Sequence, residues 1–138
     1  MLFHITDVAD AQEEQCIINN LWTHNAQFSS VDLHPLRVTV KTDAGGILGG
    51  LIARTWWGGL DIQYLWIEEN HRKNGWGRQL MQAAEEEACK RGCHMAYVDT
   101  FDFQAVEFYQ KLGYRSYGKL PDFAHQHTRH YLAKKLGN

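Results

Sequence analysis

The chain has 138 residues, of which 44% are hydrophobic and 12% aromatic, so we expect one ordered domain spanning residues 1–138. Its 14 basic and 16 acidic residues give a net charge of −2, which excludes the overall positive charge that drives non-specific binding to nucleic acids or acidic membranes. The longest uncharged, largely apolar stretch is residues 44–53, about half the length that a membrane-spanning helix requires.

The first part of the chain predicts one helix followed by three strands. Thr6 or Asp7 can cap the helix, whose apolar residues recur at helical spacing and end before residue 28. From residue 37 the apolar residues alternate, which predicts an antiparallel meander of strands at 37–41, 47–55 and 60–67, with a turn at 43–46. Gly49 and Gly50 lie inside the second strand and indicate a bulge or close packing against another element.

The second part of the chain alternates between helix and strand. A long helix is predicted over 75–91, since its apolar residues form one stripe and Gly92 ends it. Strands follow at 95–100, 114–120 and 128–135, with a short helix at 105–112. This order predicts the mixed α/β class, in which a β-α-β-α-β unit continues the meander into one twisted sheet with helices on both faces. The stripe consists of Trp76, Leu80, Met81, Ala84 and Ala88.

The cysteines do not suggest a disulfide framework. Cys16, Cys89 and Cys93 are an odd number in a chain that is large enough to fold without disulfides. Cys89 and Cys93 flank the end of the predicted long helix, where a metal site is the alternative to buried reduced thiols. The first residues contain neither a basic segment nor a long apolar run, so we expect no secretory signal and a cytoplasmic protein.

The segment between the third strand and the long helix has the character of an anion-binding loop. Gly75 and Gly77 open the helix, and the first N–H groups of a helix attract anions. Arg72, Lys73 and Arg78 crowd this positive end of the helix dipole, where each cation is unfavourable by about 0.3–1 kcal/mol unless an anion is bound. A phosphate or pyrophosphate site is therefore predicted, and a solvated basic loop is the alternative.

Two other phosphate-binding patterns do not occur in the sequence. A Walker loop requires Gly-Lys followed by Ser or Thr, which is not found. A dinucleotide fingerprint requires a third glycine where this chain has Leu80. The pattern that is present, Arg72-x-x-Gly75-x-Gly77, resembles the pyrophosphate-binding motif of the GNAT N-acetyltransferase superfamily.

The resemblance to this superfamily extends over residues 60–120. Ile67 matches the usual valine at the end of the preceding strand. Residues 105–114 look like the family's second motif, because they end in Phe-Tyr-x-Lys-x-Gly-Tyr. The resemblance implies a GNAT fold, in which the strands at 60–67 and 95–100 splay apart. Residues 103–118 and the His-rich ending are similar to small bacterial stand-alone members.

The resemblance implies acetyl-coenzyme A as co-substrate, with no metal. The backbone edge of the third strand would pair with the pantetheine arm, and the loop and the first turn of the long helix would hold the pyrophosphate. Many relatives carry an asparagine near Gln104, so this chain departs from the family there. The implied cofactor-binding residues are Leu65, Trp66, Ile67, Arg72, Lys73, Asn74, Gly75, Trp76, Gly77, Arg78, Gln104 and Phe108.

Transfer of an acetyl group to an amine requires a base, an oxyanion donor and an acid for the leaving thiolate. Free amines titrate near pH 10, so a carboxylate must remove the proton directly or through a water. Asp61 and Glu68 are the candidate bases, with ordinary surface acids as the alternative. The backbone N–H of Ile67 is the candidate oxyanion donor. By the resemblance, Tyr109 would protonate the coenzyme A thiolate, and the alternative is a core aromatic residue.

Two further clusters remain to be placed. His125, His127 and His130 could suggest metal ligands, but in a strand a spacing of three places His127 and His130 on opposite faces, so we expect no metal site. Trp56 and Trp57 lie beside a glycine pair, where they could rim the acceptor site or form a dimer contact.

We therefore expect an acetyl-coenzyme A-dependent N-acetyltransferase that transfers the acetyl group directly to a primary amine in a ternary complex. A covalent relay through a cysteine is the enzymatic alternative. A non-catalytic acyl-CoA-binding sensor or interaction module is the alternative from another class. The expected acceptor is a small-molecule amine or a peptide amine, with no nucleic-acid or membrane partner, and a homodimer is open.

Overall fold

The computed structural model describes residues 1–137, which fall into two compact units, Met1–Asp32 and the residues from Leu33 onward. The first unit contains helix α1, Ala11–Asn25. Asp10 caps this helix, because its Oδ1 accepts hydrogen bonds from the N–H groups of Gln12 (3.0 Å) and Glu13 (3.1 Å). The prediction that Thr6 or Asp7 caps the helix is therefore wrong. Glu14 favours the later start by accepting from the Asp10 N–H at 2.9 Å.

The second unit is built on one six-stranded sheet. Its strands are β1 Leu33–Lys41, β2 Ile47–Trp56, β3 Gly59–Ile67, β4 Met95–Phe101, β5 Arg115–Phe123 and β6 His127–Lys135. The strand order is β1-β2-β3-β4-β6-β5, so the last strand inserts between the two before it. The pairs β1–β2, β2–β3, β4–β6 and β5–β6 are antiparallel, and β3–β4 is parallel. The predicted meander and mixed sheet are confirmed.

Two helices cover one face of this sheet. They are α2, Trp76–Lys90, and α3, Val106–Lys111. The chain moves across the sheet in the same direction from β3 to β4 and from β4 to β5, so two right-handed crossovers place both helices on the same face. Within this unit the expectation of helices on both faces is therefore wrong. Four members of the predicted α2 stripe are buried, whereas Trp76 is half-buried at the first turn.

The core lies between the sheet and these helices. Alternate residues of each central strand point into it, including Leu51 and Ala53 of β2 and Ala96 and Val98 of β4. Tyr109 of α3 belongs to the same core. The other residues of β4, including Asp99, therefore point to the opposite face. Over residues 1–137 the helices are too short or too polar to span a membrane.

The strands β3 and β4 pair along only part of their length. Their register runs from Gly59 opposite Met95 to Ile62 opposite Val98, after which the two strands continue without pairing to each other. One cause lies in β3, where a register shift against β2 leaves Gln63 as an extra residue, and such a bulge bends and twists its strand. The splayed strand pair implied by the family resemblance is thus confirmed.

Candidate active site

The gap between β3 and β4 exposes backbone hydrogen-bonding groups on its β3 side. The Glu68 N–H donates to the Leu48 carbonyl at 2.8 Å. Antiparallel neighbours alternate between bonded and non-bonded pairs, so the amides of Leu65 and Ile67 must point away from β2 and toward β4. Because β4 has diverged there, these amides face the gap, hereafter called the β3–β4 gap.

The loop after β3 is held by its own side chains. Glu68 starts a short 3-10 turn, Glu69–His71, by accepting from the Asn70 N–H at 3.2 Å. The Arg72 Nε donates to the Ile67 carbonyl at 3.0 Å, so that carbonyl is already occupied while the Ile67 N–H still faces the gap. The His71 ring stacks on Trp76 at 4.8 Å between centroids. These contacts fix the end of β3 relative to the start of α2.

The next residues of this loop gather N–H groups at the start of α2. Lys73 and Gly75 both have left-handed backbones, with φ of 70° and 77°, and such turns bring successive N–H groups into an anion-binding concavity. No side chain among the described residues caps the start of α2, and its first turn holds no acid. Arg78 is exposed in that turn. The first N–H groups of α2 therefore do not bind a capping side chain and are suited to bind a phosphate.

The two glycines of the motif have different structural roles. A Cβ at Gly75 would meet nothing within 4 Å, so steric contact does not account for this glycine. Its left-handed backbone does, because residues with a Cβ rarely adopt it. At Gly77 a Cβ would lie 3.1 Å from the Phe108 ring and 3.3 Å from the Ile67 side chain. Gly77 therefore allows α3 and the end of β3 to approach α2 closely, a reason for this glycine that the sequence analysis did not identify.

Tyr109 lies in the core beneath this region, with a side chain that is 5% exposed. Burial raises the pKa of its phenol to about 12, and the negative charge of Asp99 adds to the effect. The phenol is therefore protonated at neutral pH and available as a proton donor. Its ring centroid lies 5.1 Å from that of Phe108 and 5.9 Å from that of Tyr114, so Tyr109 also packs as a core aromatic residue.

The two predicted bases already have partners in the chain. Asp61 Oδ2 accepts a hydrogen bond from Arg54 Nε at 2.9 Å, and it lies opposite Tyr97 in the paired half of β3 and β4. Glu68 caps the 3-10 turn and lies 3.6 Å from His71 Nε2. The structure therefore places Asp61 before the gap begins and Glu68 beyond the end of β3.

Asp99 is a candidate residue that the sequence analysis missed. It follows Val98, the last residue of β4 that pairs with β3, so it borders the β3–β4 gap. Its carboxylate affects the pKa of Tyr109 from the opposite side of the sheet, and Arg129 donates to it at 2.9–3.0 Å. The feature of the sequence that could have identified Asp99 is its charge inside a strand whose other residues are uncharged.

Gln104, predicted to touch the cofactor, is anchored at the end of β4. Its Oε1 accepts from the Phe101 N–H at 2.7 Å and from the Thr100 hydroxyl at 3.2 Å. Only the amide nitrogen of this side chain is outside these two bonds. Together with Phe108, Gln104 lines a cavity of about 530 Å³ beside α3.

The remaining clusters have local contacts. His127 Nδ1 bonds Asp102 Oδ1 at 3.0 Å, and within residues 1–137 no group of three or more metal-ligating side chains comes together. Trp56 and Trp57 stack on each other at 5.7 Å. The expectation that Cys89 and Cys93 are buried is confirmed for Cys93 and wrong for Cys89, which is exposed, as is Cys16.

Comparison with known proteins gives the same family as the motifs. The model of the acetyltransferase (GNAT) domain matches residues 35–116. Acetyltransferase Atu2258 of Agrobacterium fabrum is 36% identical over 137 residues, which is 99% of this chain and 100% of the relative. Blasticidin-S acetyltransferase of Streptomyces morookaense is 38% identical over 95 residues, which is 68% of this chain and 70% of the relative.

The fold has a close counterpart among solved structures. A crystal structure from Agrobacterium tumefaciens superposes with a TM-score of 0.93 at 34% identity, covering 99% of this chain and 100% of that one. GNAT acetyltransferases use acetyl-coenzyme A, and the uncapped α2 start beside an unpaired strand edge fits a ligand with a pyrophosphate and amides. The chain is an N-acetyltransferase that belongs to the GNAT family.

Proposed function

We propose that this protein transfers the acetyl group of acetyl-coenzyme A directly to a primary amine, with both substrates bound at once. The observation that supports the proposal is the β3–β4 gap, where the amides of β3 do not pair with β4, together with the uncapped start of α2 and the buried phenol of Tyr109. A thioester entering from the helix face and an amine entering from the opposite face would meet in this gap. No covalent intermediate with the protein is then required.

We assign the cofactor residues in two groups. The backbone edge of Leu65, Trp66 and Ile67 would pair with the amides of the pantetheine arm. The turn and helix start, residues 72–78, would hold the pyrophosphate, supported by the left-handed residues at 73 and 75. Acetyl-coenzyme A supplies an activated acyl group and a thiolate leaving group. Gln104 and Phe108, which line one cavity beside α3, would contact the same ligand.

The reaction itself requires three transfers that the surrounding groups can serve. The amine nitrogen attacks the thioester carbonyl, so that a C–N bond forms while the C–S bond breaks. The Ile67 N–H would stabilise the oxyanion, a contribution of about 3 kcal/mol when well aimed. Tyr109 would donate its proton to the leaving thiolate. A carboxylate would take the proton of the amine, directly or through water.

Three carboxylates compete for the role of base. Asp61 and Glu68 were predicted from the sequence, and Asp99 borders the gap. The variants Asp61→Asn, Glu68→Gln and Asp99→Asn should therefore be compared by the pH profile of kcat/KM. Loss of the acidic limb in one variant identifies the base. Equal profiles in all three would indicate that water alone accepts the proton.

The chemical class of the acceptor rests on the relatives and on charge. One relative is named for the acetylation of blasticidin S, so that antibiotic is a reasonable first acceptor to test here. Acids at 61, 68 and 99 suit a cationic amine, whether on a small molecule or on a peptide. The cytoplasmic location, the single domain and the homodimer stay predictions from the sequence.

A direct assay separates the enzyme from a non-catalytic acyl-CoA-binding module. Calorimetry should show coenzyme A binding, and release of free thiol should require an added amine. We would test blasticidin S, a polyamine and a peptide N-terminus as acceptors. Coenzyme A binding without thiol release for any amine would favour the binding module. Absence of coenzyme A binding would refute the cofactor site itself.

A further inference from the structure

Four aromatic side chains form an exposed cluster at the carboxyl end of β4, hereafter called the aromatic cluster: Phe101, Phe103, Phe123 and His127. The Phe101 and Phe103 rings stack at 5.4 Å between centroids with planes 10° apart. Phe123 meets Phe101 edge-on at 4.9 Å, and His127 meets Phe103 edge-on at 4.7 Å. With Ala124 they line an open surface pocket of about 420 Å³.

The rings pack on one another but leave apolar surface exposed. Phe103 is 63% exposed, although burying a phenylalanine ring is worth about 1.5–3 kcal/mol. Asp102 fixes His127 through one carboxylate oxygen at 3.0 Å and accepts from the Thr128 N–H through the other at 3.0 Å. The position of His127 in the cluster is therefore fixed by hydrogen bonds and does not depend on ring packing alone.

The hairpin that carries Phe123 is strained in the same place. Asp122, Ala124 and His125 all have left-handed backbones, with φ of 73°, 50° and 59°. Each such residue costs about 1–2 kcal/mol. Strain of this kind persists where the surrounding structure over-determines it, and it concentrates at functional sites. Here it turns Phe123 toward Phe101.

The aromatic cluster adjoins the β3–β4 gap on the face opposite the helices. Phe101 lies two residues after Asp99 on the same strand, so both side chains point to the same face at a spacing of about 7 Å. Asp99 in turn borders the gap and influences Tyr109. The Asp99 carboxylate, which also accepts from Arg129, and the aromatic cluster thus lie along one strand, with Asp99 on the side of the gap.

We propose that the acceptor is an amine carried on a planar aromatic ring, which packs against the aromatic cluster while its amino group faces Asp99. The proposal rests on the N-acetyltransferase function proposed above and names its substrate class. The exposed ring of Phe103 and the open pocket beside it favour a flat aromatic partner, which can stack or meet the rings edge-on, over a puckered or linear one. The 7 Å spacing requires a short spacer between ring and amine.

The test compares amines that differ only in the shape of their apolar end. The probes are 3-phenylpropylamine, 3-cyclohexylpropylamine and n-hexylamine, each assayed with acetyl-coenzyme A. We expect kcat/KM to favour the phenyl amine over the cyclohexyl amine by about three- to tenfold, the range of aromatic pairing. Asp99→Asn should lower kcat/KM for all three amines to a similar extent.

Variants of the aromatic cluster then assign the preference to it. Phe103→Leu keeps an apolar side chain at an exposed position, so the fold should be retained. It should remove the preference for the phenyl amine over the cyclohexyl amine, while the Kd of coenzyme A stays within twofold. Phe3→Leu, at an exposed phenylalanine outside the aromatic cluster, should change none of these values.

Three results would overturn the inference, and they are distinguishable. Equal kcat/KM for the phenyl and cyclohexyl amines in the unmodified protein would show that the cluster does not read ring shape. A raised Kd for coenzyme A in Phe103→Leu would show that the cluster belongs to the cofactor site. Absence of thiol release with every amine would refute the proposed function, and with it this substrate class.

Discussion

Gly75 provides the sharpest test of the anion-binding loop. Its φ of 77° lies in the left-handed region, which costs a residue with a Cβ about 1–2 kcal/mol. A Cβ built at this position meets nothing within 4 Å, so Gly75→Ala changes the backbone preference without a clash. If the loop keeps its conformation, this cost lowers the free energy of unfolding. If the loop relaxes until the cofactor binds, the same cost weakens coenzyme A binding instead.

The two measurements together should therefore account for the whole cost. We expect the free energy of unfolding in urea and the calorimetric free energy of coenzyme A binding to fall by about 1–2 kcal/mol in sum, the cost of one left-handed alanine. Gly75→Asn is the matched control, because asparagine enters the left-handed region more readily, and it should lose less than Gly75→Ala. Gly75→Val should lose more, since a β-branched side chain is poorly tolerated there.

Two results would contradict this reasoning in different ways. An alanine variant that matches the unmodified protein in both measurements would show that residue 75 does not need a left-handed backbone. A loss of coenzyme A affinity beyond about thirtyfold, which corresponds to about 2 kcal/mol, would exceed the backbone cost. The bound cofactor would then contact the glycine backbone where the methyl group would lie.

Further predictions concern the phenol, one ion pair and one surface acid. Tyr109→Phe should lower kcat by at least about tenfold, since general acids contribute about 10²–10⁴, with coenzyme A affinity unchanged; unaltered turnover would exclude it as the acid. Glu85 accepts from the Tyr114 hydroxyl at 2.8 Å and from Lys134 at 2.7 Å, so Glu85→Ala should lower the free energy of unfolding by about 2–3 kcal/mol, measured in urea. The Thr128 N–H, followed by His127, lowers the pKa of Asp102. The ionised carboxylate of Asp102 therefore stabilises the folded protein at pH values above 3.8, its pKa in the unfolded chain. This stabilisation is lost as the pH falls from there through the lower pKa of the folded state. The urea midpoints of Asp102→Asn and the unmodified protein should converge from pH 6 to pH 3, and a constant difference would contradict this.

Local patterns predicted most of the secondary structure. The alternation in β2 and β3 and the apolar stripe of α2 depend on neighbouring residues alone. These three elements lie where expected. Strand β1 begins at Leu33 and includes Pro35, whereas the alternating pattern predicted a strand that begins at residue 37. An edge strand tolerates a proline because its outer N–H groups do not pair, and whether a strand is an edge depends on the whole sheet.

The site was only partly predictable because its parts meet through the sheet. The loop around Gly75 is recognisable from adjacent residues, and its left-handed turns occur within it. Asp99 looks like any outward acid of a strand until the divergence of β3 and β4 places it beside the gap. Asp61, in contrast, was predicted as a base from the sequence, and only the tertiary structure reveals its hydrogen bond with Arg54.

The arrangement of the two faces also bears on the choice between direct transfer and a covalent relay. A relay through a thiol would require a cysteine at the β3–β4 gap. Cys93 lies before the first residue of β4, whereas the gap opens after Val98, in the middle of that strand. Cys89 lies in the last turn of α2, about 20 Å along the helix from its start at 1.5 Å per residue. In the second unit, the amides of Leu65 and Ile67 and the carboxylate of Asp99 border the gap, and the phenol of Tyr109 lies in the core. Such groups can bind two substrates and move protons between them, which is what direct transfer requires.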